Sequence, residues 1–491
     1  MTFLIHPGAI YVGGEWQKTD QREAVINPAD ESLLIEAPVG SADQVDAAIG
    51  AARHAFDHGD WPHLPVARRQ AVLTKFLDAL DARKSAMVDL IVAEAGATRM
   101  LAEFLQYGIP MKHARRTVEI ASRPTVTPLP VELTPNMQGT TTLGTGVVSR
   151  EPVGVVAAIS PYNFPFFLNI GKVIPALAAG CTVVLKPSPY TPMEALILGE
   201  IADEVGLPKG VLSIVTGDIE TGKLLTTDPR VDLVHFTGSD KVGAMIQAQA
   251  APTLKRIVME LGGKSALIVR ADADIQKAAA AGIMGFTTHC GQGCALTTRH
   301  IVHNSIRPQF VAAMQAMLAH IKIGDPADPT VSYGPLIREV ARQRTEEYVA
   351  IAQDQGATLV AGGKRPEGFD KGFFFEPTLF DNVKNDSRLA QEEVFGPIGA
   401  VIGFDEDDEA IAMANDSDFG LSGAIYSADA GQAYRMALKI RTGGVSINGG
   451  AGTMQSDAPF GGIKRSGYGR EYGEDGLNEF TYQKTISFHA E

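Results

Sequence analysis

Short, wholly apolar runs alternate with helix-forming segments between residues 153 and 236. Apolar runs of this length predict β-strands, and apolar residues that recur every three or four positions predict helices. The predicted strands are 153–159, 182–186, 211–215 and 231–236, and the predicted helices are 169–179, 192–205 and 221–226. Strands that are apolar on both faces are typical of a parallel sheet covered by helices on both sides. The pattern therefore predicts an α/β fold whose ligands bind at the carboxyl ends of the strands.

A second α/β segment spans residues 265–445. Its predicted strands are 266–269, 299–302, 399–404, 423–426 and 444–447. Near the N-terminus, residues 10–16 predict a hairpin with a Gly-Gly turn, and a helix begins at residues 41–49 with a serine or aspartate cap. Helical spacing also marks residues 68–87 and 85–96, so the first 120 residues are predicted to be mostly helical. A chain of 491 residues is too long for one core, and two or three domains are expected.

Four prolines lie between residues 124 and 135. Because proline breaks helices, this segment is predicted to be an extended linker. The next segment, residues 139–150, is rich in threonine and valine, and the C-terminal residues 479–488 alternate as a strand does. We expect these two strands to pair as a small separate sheet. Another subunit often covers the exposed edge of such a sheet, so the pair is predicted to carry oligomerisation.

Charge and composition restrict the partners. The net charge of −14 is the opposite of a nucleic-acid binder's basic footprint and also argues against anionic membrane surfaces. Three cysteines are too few for a disulfide framework and suit a reducing compartment. No signal peptide and no membrane span are predicted, since no apolar run of ~18 residues occurs. We therefore expect a cytoplasmic protein with neither nucleic-acid nor membrane partners.

Two of the cysteines lie in the polar, glycine-rich stretch 287–294, directly after an alanine-rich segment that predicts a helix. Glycines near Cys294 leave space above its sulfur and let the backbone approach a ligand. A thiolate is the strongest side-chain nucleophile near neutral pH, so Cys294 is a candidate nucleophile. The alternative is a buried small apolar residue, which is what most intracellular cysteines are.

Two strand ends carry further candidate chemistry. Residues 236–243 follow a strand and open a helix, whose free amides favour a pyrophosphate group. Their Gly-x-x-x-x-Gly spacing differs from the usual dinucleotide fingerprint, so an ordinary connection is the alternative. The strand 256–260 ends in Glu260 beside Gly262 and Gly263, where the carboxylate is either a base or a solvent-facing side chain.

Six motifs together closely resemble the aldehyde dehydrogenase superfamily, in its order and spacing. They are Pro161-Tyr162-Asn163-Phe164-Pro165, Lys186-Pro187-Ser188, Phe236-Thr237-Gly238-Ser239, Glu260-Leu261-Gly262-Gly263-Lys264, Gly291-Gln292-Gly293-Cys294 and Glu393-Val394-Phe395-Gly396-Pro397. Matching residues run from Ile10 to Glu471, nearly the whole chain.

The resemblance implies three parts of the chain. A parallel, Rossmann-like cofactor-binding domain would comprise residues 1–131 and 151–259, and a second α/β catalytic domain residues 260–470. A small β hairpin plus the C-terminal strand, residues 132–150 and 471–491, would form the oligomerisation element of a homodimer or homotetramer.

The resemblance also implies a reaction. Cys294 would attack an aldehyde, and the Asn163 amide with the Cys294 backbone amide would hold the oxyanion. Hydride would pass to NAD, leaving a thioester, and Glu260 would activate the water that hydrolyses it. A CoA-acylating semialdehyde dehydrogenase is one alternative, against which Glu260 argues. A catalytically inactive binding protein is the other, against which the complete set of site residues argues.

Cofactor residues follow from the same motifs. Lys186 resembles the lysine that bonds the adenosine ribose, Gly238 and Ser239 would bind the pyrophosphate, Glu393 would hold the nicotinamide ribose, and Phe395 would pack near the nicotinamide, with Ser160 and Pro161 beside the cofactor. Pro189 stands where many NAD-preferring members carry a glutamate, so NADP is possible. NAD is favoured because residues 186–192 contain no arginine.

Further departures from the family pattern are Tyr162, which stands where tryptophan is most common, and residues beside the nucleophile. His289 replaces a common asparagine and could tune the thiolate, or it is simply a packed or solvated histidine. A metal site of His289, Cys290 and Cys294 lacks a fourth ligand and normal spacing, so no metal is predicted. A Cys290–Cys294 disulfide under oxidation remains a hypothesis.

The substrate pocket implied by the resemblance contains small and apolar residues and no arginine or lysine. Its members are Phe164, Phe167, Leu168, Gly171, Gly293, Ala295, Met454, Phe460 and the glycine-rich residues 449–454. Small Gly171 and Gly293 predict a roomy pocket for an aromatic or medium-chain aldehyde. A charged semialdehyde would want an arginine clamp, which the pocket lacks.

Overall fold

The computed structural model describes residues 3–135 and 137–490, so the predicted domain limits at residues 1 and 491 lie outside the described residues. The helices are α1 Ala42–His58, α2 Val66–Ala82, α3 Lys84–Ala95, α4 Arg99–Leu101, α5 Ile109–Ile120, α6 Pro165–Ala179, α7 Met193–Glu204, α8 Ile219–Thr227, α9 Asp240–Ala250, α10 Ile275–Thr287, α11 Arg307–Leu318, α12 Glu339–Asp354, α13 Arg388–Gln391, α14 Asp407–Asn415, α15 Ala430–Ala437 and α16 Gly473–Asn478. A π-helical turn, Ala102–Gly108, joins α4 to α5, and short 3₁₀ turns lie at Trp61–His63, Ala251–Thr253, Thr288–Gly291 and Gly452–Met454.

The strands are β1 Ala9–Val12, β2 Glu15–Lys18, β3 Gln21–Ile26, β4 Leu33–Val39, β5 Val126–Pro128, β6 Glu132–Pro135, β7 Thr141–Pro152, β8 Val155–Ile159, β9 Thr182–Lys186, β10 Leu212–Ile214, β11 Leu233–Thr237, β12 Arg256–Glu260, β13 Ala266–Val269, β14 Arg299–His303, β15 Thr358–Ala361, β16 Thr378–Asp381, β17 Ile398–Phe404, β18 Phe419–Gly420, β19 Gly423–Tyr426, β20 Ser446–Ile447, β21 Ile463–Lys464, β22 Gly467–Tyr468 and β23 Thr481–Ala490.

The larger sheet has the order β2-β1-β10-β9-β8-β11-β12-β22. Its five central strands, β10, β9, β8, β11 and β12, run parallel to one another, which confirms the predicted α/β class. Residues of β8 alternate between two cores: Val155 and Ala157 pack with α1, while Val156 and Ala158 pack with α6 and α7. Both faces of the strand are therefore covered by helices, and this is why its sequence is apolar throughout.

A second sheet, β15-β16-β17-β14-β13-β19-β20, accounts for the later α/β segment. Every pairing in it is parallel except β15 with β16. The predicted strands 266–269 and 423–426 coincide with β13 and β19. Two apolar cores flank this sheet as well, so it is a separately packed α/β unit.

The predicted pairing of two distant strands is confirmed. β23 runs antiparallel to β7 along ten residue pairs, from Thr481 opposite Pro152 to Ala490 opposite Leu143. The prediction of a linker between residues 124 and 135 is wrong, because β5 and β6 both pair with β7. Proline is tolerated there because these short strands lie on the sheet's outer side and end in Pro128 and Pro135.

The prediction that the first 120 residues are mostly helical is also wrong in one part. β3 and β4 form an antiparallel hairpin between the first hairpin and α1. Most positions of β3 are exposed or half-buried, with Val25 its fully buried residue, so the alternation that signals a strand is faint. The predicted cap of α1 is confirmed: Ser41 accepts a hydrogen bond from the Gln44 amide, and Gln44 reciprocates.

Candidate functional site

Four of the predicted site segments come together at one edge of the larger sheet. β9, β8, β11 and β12 are consecutive neighbours and end side by side. Lys186 closes β9, Ser160 follows β8, Gly238 follows β11, and Glu260 closes β12. Carboxyl ends of parallel strands are where such sheets bind ligands. The parallel topology thus collects residues that are up to 100 positions apart in the chain.

Cys294 reaches this edge from the second α/β unit. The 3₁₀ turn after α10 contains His289 and Cys290 with φ of 48° and 58°, a left-handed backbone that reverses the chain. Gly291 also has a positive φ, 75°, and a Cβ there would overlap the Gly396 carbonyl. A Cβ on Gly263 would likewise overlap the Cys294 carbonyl, so the loop packs directly against the residues after Glu260. Glycine at these positions permits the close approach.

Three acidic residues influence the Cys294 thiol. Burial, together with the carboxyl groups of Glu393, Glu260 and Glu471, raises the pKa of Cys294 to about 12. The thiol is accordingly protonated at neutral pH in this state. A thiolate forms only when a base removes the proton or the surrounding charge changes.

Asn163 sits beside the same loop. Its side-chain Nδ2 donates to the Gln292 carbonyl at 2.8 Å, two residues before Cys294. The side chain is buried, and no described residue bonds its Oδ1. An amide nitrogen carries two hydrogens, so one donor remains for a ligand.

Glu260 is a buried carboxyl group. Only 2% of the residue is exposed, and neither carboxyl oxygen has a hydrogen-bond partner among the described residues. Burial and the nearby Glu471 carboxylate raise the pKa of Glu260 well above its usual range, while Lys172 acts in the opposite direction. The alternative of a solvent-facing Glu260 is therefore wrong, because the end of β12 is covered by the loops around Ser466 and Gly461.

A buried charged cluster lies close to Glu260, and none of its members had a predicted role. Glu471 Oε1 lies 2.6 Å from Lys172 Nζ and 2.9 Å from His235 Nε2. Lys172 Nζ also donates to Thr237 Oγ1 at 2.7 Å. Although burial opposes ionisation, Lys172 and His235 lower the pKa of Glu471 to about 2. Glu471 thus holds a fixed negative charge close to Glu260.

Glu393 belongs to the same centre, whereas its neighbour Glu392 does not. Glu393 Oε1 accepts a hydrogen bond from the Gly263 amide at 2.9 Å. Burial raises the pKa of Glu393 to about 7. Glu392 instead bonds Arg388 and Tyr348 at a more exposed position. The choice of Glu393 over Glu392 as a site residue agrees with this geometry.

Two groups at the sheet edge suit a phosphate or sugar. Lys186 is buried, its Nζ donates to the Pro187 carbonyl at 3.2 Å, and burial lowers its pKa to about 8. Ser239, which follows Gly238, caps α9, an 11-residue helix that begins at Asp240. Free amides and the dipole at that helix end favour an anion.

The remaining predicted cofactor residues line the same edge. The Ser160 amide donates to the Lys186 carbonyl at 3.1 Å, and its hydroxyl bonds Asn169. Pro161 is half-buried beside it. Phe395 has a positive φ of 56°, and its ring meets Tyr162 edge-on with centroids 6.1 Å apart. Tyr162 of the first α/β unit and Phe395 of the second therefore contact each other at this edge.

Half-buried aromatic rings gather where the substrate pocket is predicted. Phe164 and Phe167 lie 6.5 Å apart, and Tyr472 lies 5.6 Å from Phe167 and 6.5 Å from Phe460. Leu168 is half-buried and Met454 exposed at the rim, while a Cβ on Gly293 would meet the Leu296 side chain at 2.8 Å. His113 of α5 joins the group, with its ring 4.6 Å from Tyr472.

The residues beside the nucleophile have structural partners. His289 is buried with its ring 5.5 Å from Phe164, and burial lowers its pKa to about 4, so it is a packed, neutral histidine. Cys290 is buried and its Sγ lies 2.9 Å from the Tyr333 hydroxyl. Within the described ranges, no three His, Cys, Asp or Glu side chains come together as a possible metal site.

A sequence model of the aldehyde dehydrogenase family matches residues 16–486. The chain belongs to the aldehyde dehydrogenase family. A Mycobacterium tuberculosis aldehyde dehydrogenase complexed with NAD+ is 41% identical and superposes with a TM-score of 0.91, covering 98% of this chain and 97% of that one. Betaine aldehyde dehydrogenase from Staphylococcus aureus, in complex with NAD+, is 34% identical with a TM-score of 0.94 over 98% and 95% of the two chains.

The family assignment confirms the resemblance carried by the six motifs, and the α/β class is shared with these neighbours. Among residues 3–135 and 137–490, no helix combines the length and apolar character needed to cross a lipid bilayer. Residues of this aldehyde dehydrogenase that lie at the site without a predicted role include Lys172, His235, Glu471, His113 and Tyr472. A lysine inside the apolar sequence of α6 is the one local signal that could have marked a member of this set.

Proposed function

We propose that the protein oxidises an aldehyde to the carboxylic acid with NAD+, through a thioester on Cys294. The observation that carries the proposal is the convergence of Cys294, Asn163, Glu260 and Glu393 from four separate parts of the chain. Asn163 bonds the loop of Cys294, Glu393 bonds Gly263, and both carboxyl groups act on the Cys294 thiol.

Cys294 is the nucleophile in this proposal, in preference to Cys290. Cys294 is half-buried and interacts electrostatically with the unpartnered Glu260 carboxyl group, whereas Cys290 is fully buried against Tyr333. Because the pKa of Cys294 is raised, attack on the aldehyde requires removal of the thiol proton, for which the Glu260 carboxylate is available. The carbonyl oxygen gains negative charge as the sulfur bonds to carbon. The free Asn163 N–H and the Cys294 amide would hold it, each donor contributing about 3 kcal/mol.

The cofactor would lie along the carboxyl edge of the larger sheet, where the residues present suit it. Lys186 supplies a buried amine, and Ser239 caps the start of α9. Glu393 supplies a buried carboxylate that bonds Gly263. NAD+ supplies the hydride acceptor that turns the thiohemiacetal into a thioester.

The charges beside Lys186 support NAD over NADP. The carboxylates of Asp218 and Glu23 both raise the pKa of Lys186 against the effect of burial, so they lie close enough to interact with it. A 2′-phosphate would meet this negative charge, although Pro189 removes the carboxylate that often excludes NADP. Both S. aureus and M. tuberculosis neighbours were crystallised with NAD+.

Hydrolysis of the thioester would use Glu260 as the base for water. Its carboxyl oxygens have no partner among the described residues, so they are available to a water molecule. The raised pKa makes the carboxylate a stronger base than an exposed glutamate. The fixed charge of Glu471, held by Lys172, sustains that raised pKa. Transfer to CoA is the competing outcome, and the buried carboxyl group argues against it.

The substrate proposed is an aromatic or medium-chain apolar aldehyde. The rings of Phe164, Phe167 and Phe460 with Leu168 supply an apolar wall. Aromatic faces also bind quaternary ammonium groups, so betaine aldehyde belongs in any substrate panel.

The decisive experiment measures reduced nicotinamide with NAD+ or NADP+, a panel of aldehydes, and CoA present or absent. Steady turnover without CoA that disappears in Cys294→Ala supports the proposal. Turnover that requires CoA would show instead that the protein belongs to the CoA-acylating class. Binding of NAD+ without turnover of any aldehyde would support a catalytically inactive fold. Succinic semialdehyde turned over as well as benzaldehyde would contradict the apolar pocket.

We further propose that β5, β6, β7 and β23 form the oligomerisation element of a homodimer or homotetramer, with the larger sheet serving the cofactor and the second unit catalysis. β23 is an edge strand, and Leu133, Leu143, Ile486 and Phe488 expose apolar side chains on this sheet. Light scattering should then give at least twice the mass of one chain. A reducing cytoplasm is the proposed compartment, since all three cysteines are free.

A further inference from the structure

Two polar side chains without hydrogen-bond partners lie among the aromatic rings of the predicted substrate pocket. His113 of α5 is 2% exposed, and neither ring nitrogen has a hydrogen-bond partner among the described residues. The backbone of Met454 faces the ring without meeting hydrogen-bond geometry. Tyr472 is 7% exposed, and its hydroxyl likewise meets no partner with hydrogen-bond geometry in the described chain, although the Glu471 carboxylate lies close to it. The two rings are 4.6 Å apart, so the unpartnered groups form one cluster.

The cluster faces the proposed aldehyde site. Both rings contact Phe167, at 5.9 Å from His113 and 5.6 Å from Tyr472, and Phe460 lies 6.5 Å from Tyr472. Tyr472 also interacts electrostatically with Glu260 and Cys294, which places it near the proposed reaction centre. Phe167 and Phe460 are half-buried, so part of each ring is accessible to a ligand.

Burying polar groups without partners is costly, and native proteins rarely do so without a reason. A ligand that bonds them would recover this cost. We propose that His113 and Tyr472 form the hydrogen-bonding end of the aldehyde site and select an aromatic aldehyde that bears a hydroxyl group. This inference rests on the proposed aldehyde oxidation.

A neutral hydroxyl fits the cluster better than a charged group. Burial lowers the pKa of His113, so its imidazole is neutral and offers one donor and one acceptor. The tyrosine hydroxyl likewise donates and accepts. An anionic substituent would approach the acidic groups Glu260 and Glu471, whose charges already act on Tyr472. Phe167 and Phe460 supply the apolar surface that an aromatic ring needs.

The test compares kcat/KM for the ortho, meta and para isomers of hydroxybenzaldehyde and methylbenzaldehyde, at a pH below the pKa of each phenol. The methyl group has the size of the hydroxyl but no hydrogen bond. Each isomer's hydroxyl-to-methyl ratio is measured in the wild type, Tyr472→Phe and His113→Leu, which cancels differences in aldehyde reactivity. For at least one isomer, the ratio should fall about fivefold in each variant, mainly through KM, as loss of one hydrogen bond implies.

Surface variants Tyr434→Phe and His58→Leu make the same chemical changes away from the site and should keep the wild-type ratio. A ratio that is unchanged in both site variants, for all three isomers, overturns the inference and leaves aldehyde oxidation standing. A kcat/KM for betaine aldehyde above that of every aromatic aldehyde also overturns it, in favour of a cation held by the rings. Absence of turnover with any aldehyde would instead refute the proposed function.

A second measurement needs no variant, in case either one fails to fold. In the wild type, the three hydroxybenzyl alcohols are compared as inhibitors with the three methylbenzyl alcohols. At least one hydroxybenzyl alcohol should inhibit at about a fivefold lower concentration than the methylbenzyl alcohol substituted at the same ring position. Equal or weaker inhibition by all three hydroxyl compounds would overturn the inference.

Discussion

The ring of Tyr472 occupies the space over Gly171. A Cβ at Gly171 would stand 3.0 Å from the Tyr472 hydroxyl and 3.3 Å from Cε1. Gly171 lies on α6, and Tyr472 precedes α16 with a positive φ of 62°. The glycine that predicted a roomy pocket therefore makes room for another residue of the chain, and the pocket has an aromatic wall at this point.

Replacing Tyr472 with alanine should widen the aldehyde site. The ring packs against Gly171, Phe167 and His113, so its loss leaves a cavity and should cost about 3 kcal/mol of stability. The variant should gain in kcat/KM for 4-tert-butylbenzaldehyde relative to benzaldehyde, measured beside its thermal midpoint. Gly171→Ala should shift the same ratio the opposite way. An unchanged ratio in Tyr472→Ala would show that the ring does not limit the pocket.

Serine substitutions should separate the two neighbouring cysteines. Cys294→Ser should lose essentially all turnover, because a hydroxyl is far less ionised than a thiol at neutral pH. Cys290→Ser should stay active and lose about 1 kcal/mol of stability, since its thiol packs on Tyr333 without touching the proposed reacting groups. Steady-state rates and thermal midpoints check both. Activity that survives in Cys294→Ser and vanishes in Cys290→Ser would reverse the assignment.

Glu260→Gln should slow the second half of the reaction more than the first. The amide keeps the size of the side chain but cannot take a proton from water, so the thioester should accumulate with a loss of about 10² to 10⁴ in steady-state rate. A rapid burst of reduced nicotinamide, near one per active site, should precede the slow phase in stopped-flow records. The exposed Glu103→Gln is the control. Loss of the burst itself would mean that Glu260 acts chiefly on Cys294.

The larger sheet was predictable because β8, β9 and β11 are buried on both faces and read as unbroken apolar runs. The β3–β4 hairpin was missed because few of its residues are fully buried, so apolar and polar positions do not alternate regularly along its strands. β5 and β6 were missed because proline argues against regular structure, and only their pairing with β7 decides the outcome. Periodicity thus reports burial more directly than it reports hydrogen bonding.

At the site, Asn163 and Glu260 could be predicted because the motifs that contain them resemble those of a known family. The contact between Lys172 and Glu471 joins residues 299 positions apart, and that between His235 and Glu471 is equally nonlocal. No local pattern specifies such a pair. Tyr472 and Gly171 show the same limit. A glycine in a helix leaves free space only if no other side chain fills it, and here the Tyr472 ring does so.

Glu393→Gln should make the Cys294 thiol more acidic in the cofactor-free protein. The Glu393 carboxylate raises the pKa of Cys294, and Glu393 has a pKa of about 7, so the effect should appear above neutral pH and fade below it. Iodoacetamide should then alkylate Cys294 faster in the variant, since the rate follows the thiolate fraction. Mass spectrometry of the labelled peptide against pH measures this. Glu392→Gln is the matched control because that carboxylate bonds Arg388; equal acceleration there would point to a nonspecific effect.

Two carboxyl groups far from the site should govern how stability depends on pH. Glu94 of α3 and Glu194 of α7 are both completely buried, and Glu94 Oε1 accepts the Met193 amide at 3.0 Å. Burial raises the pKa of each, and Glu194 raises that of Glu94 further. A carboxyl group that keeps its proton only when folded contributes stability that is present below its unfolded pKa and is lost as pH rises towards its folded pKa. Each retained proton costs up to about 1.4 kcal/mol per pH unit in that window.

Glu194→Gln removes one of these protonation equilibria while keeping the side-chain shape. The variant should therefore have a higher thermal midpoint than the wild type at about pH 8, with the difference shrinking towards about pH 5, where both carboxyl groups are closer to protonation in the unfolded chain. Thermal midpoints across this range, compared with the exposed Glu103→Gln, test the expectation. A parallel pH dependence in Glu194→Gln and the wild type would mean that the pair is ionised in the folded protein, with a counter-charge supplied by water or by structural relaxation.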